Sequence, residues 1–272
     1  MTLSLPEDDT VRGSVYLCQV GTCVSCGSCC GLYNIPNLSR ERLHGFLKER
    51  TERFTSVPRS IDTILAFEQE RIAAEGGHYP IPDFHHCVFV GLIQDQGERI
   101  GCLLHPLARG NNGVDWRGLS YYGGAACKHF FCPSYDELPT RFKMIARTAL
   151  TDWYNYGLII VEHRLLAALF EMLEDMLGKE LATENLNQDG LIALASLLRL
   201  KMDWPYRRHD TPLAHNFFST KATARAELST PAPVAPPEQI ILQELDTDPA
   251  SLEEALADLR KQMDQAVIAL TA

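Results

Sequence analysis

Residues 23–31 read CVSCGSCCG and place Cys23, Cys26, Cys29 and Cys30 within eight positions. Thiols at this density suit disulfides, a metal ion, an iron–sulfur cluster or a nucleophile. Adjacent cysteines bridge each other only with strain, since bridged residues need converging Cβ vectors and Cα atoms about 4.4–6.8 Å apart. A metal fits the spacing better. Cysteines at i, i+3 and i+6 on a curling loop can all turn sulfur inward, as in thiolate sites for zinc and for iron–sulfur clusters. Gly27 and Gly31, with Ser25 and Ser28, suit a backbone that must curl tightly and aim N–H groups at sulfur. The adjacent pair fits one small ion poorly, because neighbouring side chains diverge. Cys29 and Cys30 therefore read as a hinge between two ligand sets.

Four further thiols complete the count. Cys87 opens CVFVG, Cys102 lies in GCLLHP, and Cys127 and Cys132 bracket CKHFFCP. The eight suffice for two four-coordinate sites, or for one cluster and a separate ion. The ninth, Cys18 in SVYLCQV, reads as a small buried hydrophobe in a short strand. His85, His86, His105 and His129 stand close by in sequence. With eight thiols at hand they read as hydrogen-bonding groups around the ligands rather than as ligands. Cys127 and His129 can also be drawn as nucleophile and base, but the surrounding thiols make a metal role simpler. No HExxH pair and no phosphate-binding glycine loop ending in Lys-Ser or Lys-Thr occurs.

The order CxxCxxCC, CVFVG, GCLLHP and closing CKHFFCP, over roughly residues 18–135, resembles the YkgJ-like cysteine-cluster family, described as zinc- or iron-chelating proteins. The resemblance implies metal ligation by Cys23, Cys26, Cys29, Cys30, Cys87, Cys102, Cys127 and Cys132. Members usually carry a short Arg-Pro step before the closing pair. This chain has a long glycine-rich loop there, with Trp116, Tyr121 and Tyr122. The cysteine cluster of flagellin lysine methylases is similar too, which adds an enzyme to the alternatives, although no S-adenosylmethionine signature is visible.

Two functions follow as expectations. One is a metal-binding protein that chelates zinc or iron through the thiolates, with a structural or redox role. The other is an iron–sulfur protein acting in electron transfer or within a methyltransferase- or oxidoreductase-like enzyme. The spacing does not choose the metal.

The elements that must position these thiols divide the chain. All nine cysteines fall in residues 1–135, read as a cysteine-cluster metal-binding region. There, 39–54 and 60–77 pattern as helices capped by Ser39 and Ser60 and, for the second, stopped at Gly76-Gly77. Residues 87–94 and 99–104 pattern as a β-hairpin about DQGE, and 105–127 as loop. Residues 136–228 read as a helical region. In it Phe142, Ile145, Ala149 and Trp153 recur at helical steps, and Leu165, Leu166, Leu169, Leu173 and Leu177 continue in a following helix. Residues 229–250 are a proline-rich linker. Residues 251–272 form an amphipathic helix with a Ser251/Glu254 capping box and a stripe of Leu252, Leu256, Leu259, Met263 and Val267. A helix of that length is marginal alone, so it docks on its own domain or, alternatively, on a protein partner. The fold class expected is α+β and mostly helical, a loop-rich, metal-organised cysteine region with a short hairpin packed against a small helical bundle.

Composition narrows the partners. With 272 residues and 46% hydrophobic content the chain can bury a core without covalent staples. A net charge of −10 argues against nucleic acid and anionic membranes, which need a basic footprint. MTLSLPEDDTVRG lacks the basic start and apolar run of a secretory signal, and GLIIVEHRLLAALF is broken by charges. A cytoplasmic setting is expected, where cysteine clusters more often hold metal than form disulfides.

Overall fold

Side-chain caps set where the helices begin. In the computed structural model, which describes residues 15–35, 37–75, 86–94, 97–214 and 235–272, the Ser39 hydroxyl accepts from the Arg42 N–H over 3.2 Å. It opens α1 (Arg40–Thr55), and Ser60, accepting from the Thr63 N–H over 3.3 Å, opens α2 (Ile61–Glu75). The expected stop at Gly76-Gly77 lies outside the described residues. α1 buries Leu43, Leu47, Arg50 and Phe54, one stripe at helical spacing that includes a charged residue.

The hairpin is shorter than its β-rich runs. β1 (Val90–Ile93) pairs antiparallel with β2 (Arg99–Cys102), with Val90 opposite Cys102 and Leu92 opposite Ile100. Residues 95–96 of its turn lie outside the described residues. A lone two-stranded hairpin is marginal and leaves both outer edges unpaired. Side chains close those edges here. The Thr51 hydroxyl of α1 accepts from the Leu92 N–H at 2.8 Å. On the other edge Ser25 Oγ accepts from the Ile100 N–H, and Gln19 donates to the Ile100 carbonyl, each at 2.8 Å.

The segment read as loop stays irregular to a short 3-10 turn at Arg117–Leu119, then enters α3 (Gly123–His129). α4 (Pro133–Glu137) and α5 (Thr140–Ala149) follow. Trp153 does not continue the face of α5. Leu150 turns extended, and the Asp152 carboxylate accepts from the Tyr154 and Asn155 N–H groups at 3.0 Å, starting α6 (Trp153–Ile159). α7 (His163–Leu177) ends on left-handed Gly178, and α8 (Gln188–Leu198), capped by Asn187, leads into α9 (Leu200–Asp203). The span 229–250, read as linker, contains α10 (Pro237–Glu244), which packs on α7.

α11 (Leu252–Thr271) docks on its own chain against α7, α8 and α10. Its buried stripe is Ala255, Leu259, Met263 and Ala266, whereas Leu252 is exposed. The expected capping box does not form: Ser251 makes no side-chain cap bond, and Asp248 instead accepts from the Ala250 N–H at 2.9 Å. A 3-10 turn at Pro249–Ser251 has taken Ser251 out of the extended conformation a cap requires.

Two apolar cores result. One joins α5–α8, α10 and α11 with Val15 and Leu17; the other joins α1, α2 and the hairpin with Tyr33, Trp153 and Leu158. The fold is α+β and mostly helical, with one two-stranded antiparallel hairpin among the described residues. No helix among them is long and apolar enough to cross a membrane. The two cores meet where Tyr33, buried, lays its hydroxyl on Gly157 of α6 and donates to the Trp153 carbonyl at 3.4 Å. A Cβ at 157 would overlap that hydroxyl and stand 2.8 Å from Cζ of the ring. Gly157→Ala is expected to cost about 1–3 kcal/mol through overpacking. Combined with Tyr33→Phe it should cost less than the sum of the two, which a denaturant-unfolding double-mutant cycle checks.

Candidate metal centre

The first cysteine segment is a small hairpin rather than a single curl. Gln19 and Ser25 form an antiparallel bridge, the Val20 N–H donates to the Val24 carbonyl at 3.0 Å, and the Cys26 N–H donates to the Cys18 carbonyl at 2.9 Å. Cys18 and Cys26 therefore stand opposite each other, and opposite residues in an antiparallel pair project to one side. Cys23 occupies the tip and is exposed. Its sulfur lies over the β1–β2 turn, so close that a Cβ on Gly97 would be 2.8 Å away. Ser28–Cys30 then makes one 3-10 turn, closed by Gly31 in the left-handed region at φ 70°.

Two groups of thiols gather about this turn. Burial pushes the Cys26 thiol well up, and the charges of Cys29, Cys132 and Cys18 push it further. Cys18 is raised by burial, then by Cys29 and Cys132, while the Tyr16 hydroxyl pulls it back. Cys132 reaches this group from the N-terminus of α4, raised by burial and by Cys29. On the other side Cys30 is raised by its contact with Cys29, then by burial and by Cys29, Cys87 and Cys102. Cys87 is raised by burial and by Cys102 and, less, Cys127. Burial first, with Cys127 adding to it, pushes Cys102 up to about 11. Cys29 is held below the usual thiol range, chiefly by the Cys30 S–H that donates to it. The pair thus touches both groups. Cys127, exposed, lies 3.4 Å from Ser120 Oγ.

Some surrounding groups oppose this penalty without cancelling it. The Ser28 N–H donates to Cys26 Sγ at 3.4 Å, and that sulfur lies 3.8 Å from the Gly157 carbonyl across the junction. Backbone N–H groups two residues on also act against burial elsewhere: Phe89 on Cys87, Leu104 on Cys102 and Ser134 on Cys132, although no closed cap bond forms at Cys132. Two guanidinium groups attend the second set. Arg117, paired with Asp115 at 2.8 Å, faces Cys102 and Cys127. Arg50 donates to the carbonyls of Cys87 and Val90 at 3.4 and 3.3 Å, and is clamped by Glu75. Arg50 also meets His86 Nε2, and since arginine has no acceptor, that nitrogen accepts. His86 Nδ1 must then carry the proton it donates to the Gly31 carbonyl at 2.8 Å. Both ring nitrogens are committed, so His86 orders the site without being a ligand. His105 Nδ1 accepts from the Leu107 N–H at 3.2 Å, and burial lowers its pKa. His85 and the side chain of His129 lie outside what the structure describes.

All nine cysteines are unbridged. Among the described residues no group of three or more Cys, His, Asp or Glu side chains is arranged to hold a metal ion. Thiolate sulfur is nonetheless a donor that both zinc and iron accept. No protein-family model, curated protein or solved structure matches the chain. Of the eight sequence candidates, Cys26, Cys29 and Cys132 share one group, and Cys30, Cys87, Cys102 and Cys127 the other; Cys23 stands apart from both. Sequence reasoning passed over Cys18 as a candidate and did not single out Arg50 or Arg117. Arg50 had a visible signal, since a charge at a stripe position of α1 must be buried or break the stripe.

A thiol whose pKa rises on folding keeps its proton longer in the folded chain than in the unfolded one. Its contribution to stability is complete below the unfolded thiol value of about 8.5. It is lost as pH climbs through the folded value, about 11 for Cys102. The metal-free chain should therefore melt at progressively lower temperature above about pH 8.5, and Cys102→Ser should flatten the decline. Thermal melts in the presence of a chelator check both.

Proposed function

We propose that the protein binds zinc or iron through its clustered cysteine thiolates, in a structural or redox role. One observation carries this reading. Cysteines of the segments at 18–30, 87 and 102 stand unbridged against the two apolar cores, Cys26 on the helical one and Cys30, Cys87 and Cys102 on that of α1, α2 and the hairpin. A chain with cores of this size does not need thiols as packing material, and thiols held so close either keep their protons or exchange them for a cation. Zinc or iron supplies that cation, and thiolate donors suit both. Binding of this kind is worth an apparent ~10–16 kcal/mol for structural zinc, enough to order the irregular segments that flank the hairpin. A reducing, cytoplasmic setting agrees with thiols left unbridged.

The second reading, an iron–sulfur cluster in electron transfer or in a methyltransferase- or oxidoreductase-like enzyme, is favoured by the Cys29–Cys30 contact. A multi-iron cluster accommodates diverging sulfurs more readily than one ion does. Resemblance to the YkgJ-like family supports the metal in either form.

Anaerobic purification, metal analysis and a visible spectrum separate the two. Stoichiometric zinc in a colourless protein selects the ion; iron with labile sulfide in a brown one selects the cluster. The Cys26→Ala/Cys29→Ala variant is expected to lose metal and to melt at lower temperature. Full metal content and an unchanged melting temperature in that variant would sink the proposal.

A further inference from the structure

We propose that Cys18 and Cys26 form a reversible disulfide across the small hairpin, a redox-modification site whose oxidant is a low-molecular-weight disulfide. Both thiols stand unbridged and half-buried in this structure. The bridge needs no metal; only its effect on metal content rests on the metal-binding reading above.

Backbone pairing sets the two cysteines within disulfide range. The Cys26 N–H donates to the Cys18 carbonyl at 2.9 Å and the Val20 N–H to the Val24 carbonyl at 3.0 Å, on either side of the Gln19–Ser25 bridge. That pattern puts Cys18 opposite Cys26 at the next position in register, a hydrogen-bonded one, with Cα atoms about 5.5 Å apart. Disulfides span about 4.4–6.8 Å between Cα atoms. Direction agrees with distance. Gln19 and Ser25 turn their side chains to β2, where they hold the Ile100 carbonyl and N–H at 2.8 Å each. Alternation then sends positions 18, 20, 24 and 26 to the other face, and Val20, Val24 and Cys26 do pack on the helical core.

Other cysteines lack this placement. Cys29 and Cys30 share one peptide, which fixes their Cα atoms about 3.8 Å apart, below the range of ordinary bridges. One bond, from the Cys87 N–H to the Cys30 carbonyl at 2.8 Å, links that pair and leaves its side-chain directions unset. Cys102 faces Val90 across the strands, and Cys23 stands exposed at the hairpin tip. A hydrogen-bonded position holds Cβ atoms about 5.5 Å apart, whereas a relaxed disulfide needs about 3.8 Å. Closing the bond must draw the two strands together while Gln19 and Ser25 stay fixed on Ile100. The bridge is therefore strained and easily reduced, which is the character of regulatory disulfides. Exchange makes it in two steps. One sulfur of the pair, as thiolate, attacks the external disulfide and releases a small thiolate. The second sulfur, as thiolate, attacks the first and releases the other. Two protein thiols are oxidised, one external disulfide is reduced to two thiols, and these take up the two protons.

The test uses the full-length protein, stripped with a chelator and held in oxidised glutathione at about pH 8.5, where thiolates form. After unfolding, free thiols are capped with N-ethylmaleimide, and the chain is weighed and mapped with thermolysin, which cuts beside Val20 and Val24. The oxidised chain is expected to carry two caps fewer than the nine of the reduced one, with Cys18 bridged to Cys26. Millimolar reduced glutathione is expected to restore all nine. Cys18→Ser and Cys26→Ser should each abolish the bridge and Cys23→Ser should keep it, with circular dichroism as a check of folding; the map of the unaltered chain decides should a variant not fold. A chain that still takes nine caps after oxidation, a bridge mapped to any other pair, or a bond that reduced glutathione leaves intact overturns the proposal. Oxidation is also expected to lower the zinc and iron that the chain takes up on reloading, because Cys26 is withdrawn. A Cys18–Cys26 bridge in a chain that takes up neither metal in either state upholds the bridge and overturns the metal-binding reading.

Discussion

Sulfur held between two apolar cores is the constraint on which the rest of the structure turns. A thiolate there has lost its water, and each neighbouring thiolate raises the cost of its charge. Burial accordingly lifts Cys18, Cys26, Cys87 and Cys102 above the ordinary thiol range. The chain opposes that lift with backbone N–H groups, the Tyr16 hydroxyl and the guanidinium groups of Arg50 and Arg117. These groups do not cancel it. Those four thiols therefore keep their protons at neutral pH.

The same constraint explains how the two halves depend on each other. The hairpin has two strands and gets its edge partners from elsewhere: Thr51 of α1 on one side, Ser25 and Gln19 of the cysteine segment on the other. Those cysteine-segment residues are in turn anchored on the helical half. The Tyr156 hydroxyl donates to the Leu17 carbonyl at 3.0 Å, and Tyr33 sits on Gly157. The helices therefore do more than cover the thiols. They hold the backbone that carries Cys18, Cys26 and Cys29 against the edge of β2, and a shift of α6 would move those sulfurs relative to Cys102.

Local rules made much of the fold legible in the sequence. Ser39 and Ser60 announce α1 and α2, and the β-rich runs around DQGE announce the hairpin. Local rules failed where a competing local partner was nearer. Asp152 starts α6 and ends the face that Phe142, Ile145 and Ala149 share, so Trp153 goes to the other core. Asp248 takes the N–H group that starts the Pro249–Ser251 turn, and Ser251 is drawn into that turn before it can cap α11. α10 was hidden because Pro236 and Pro237 read as extended chain, yet Pro237 stands in the first turn of α10, where its missing N–H costs nothing.

The site shows the limit of spacing more sharply. Counting along the chain, Cys23 belongs with Cys26 and Cys29, because a loop that curls about one centre presents every third residue. In a tight hairpin the rule changes. Pairing of Gln19 with Ser25 puts position 26 opposite position 18, so a cysteine eight residues away is its neighbour and one three residues away is not. The signal was present in VGTCVS, where Gly21 and Thr22 stand between the alternating Leu17–Gln19 and Val24–Cys26 runs. It was too short to outweigh the density of CxxCxxCC. What decides between the two arrangements is the edge of β2. Its Ile100 N–H and carbonyl need partners, and Ser25 and Gln19 can serve both at once only if the segment between them doubles back.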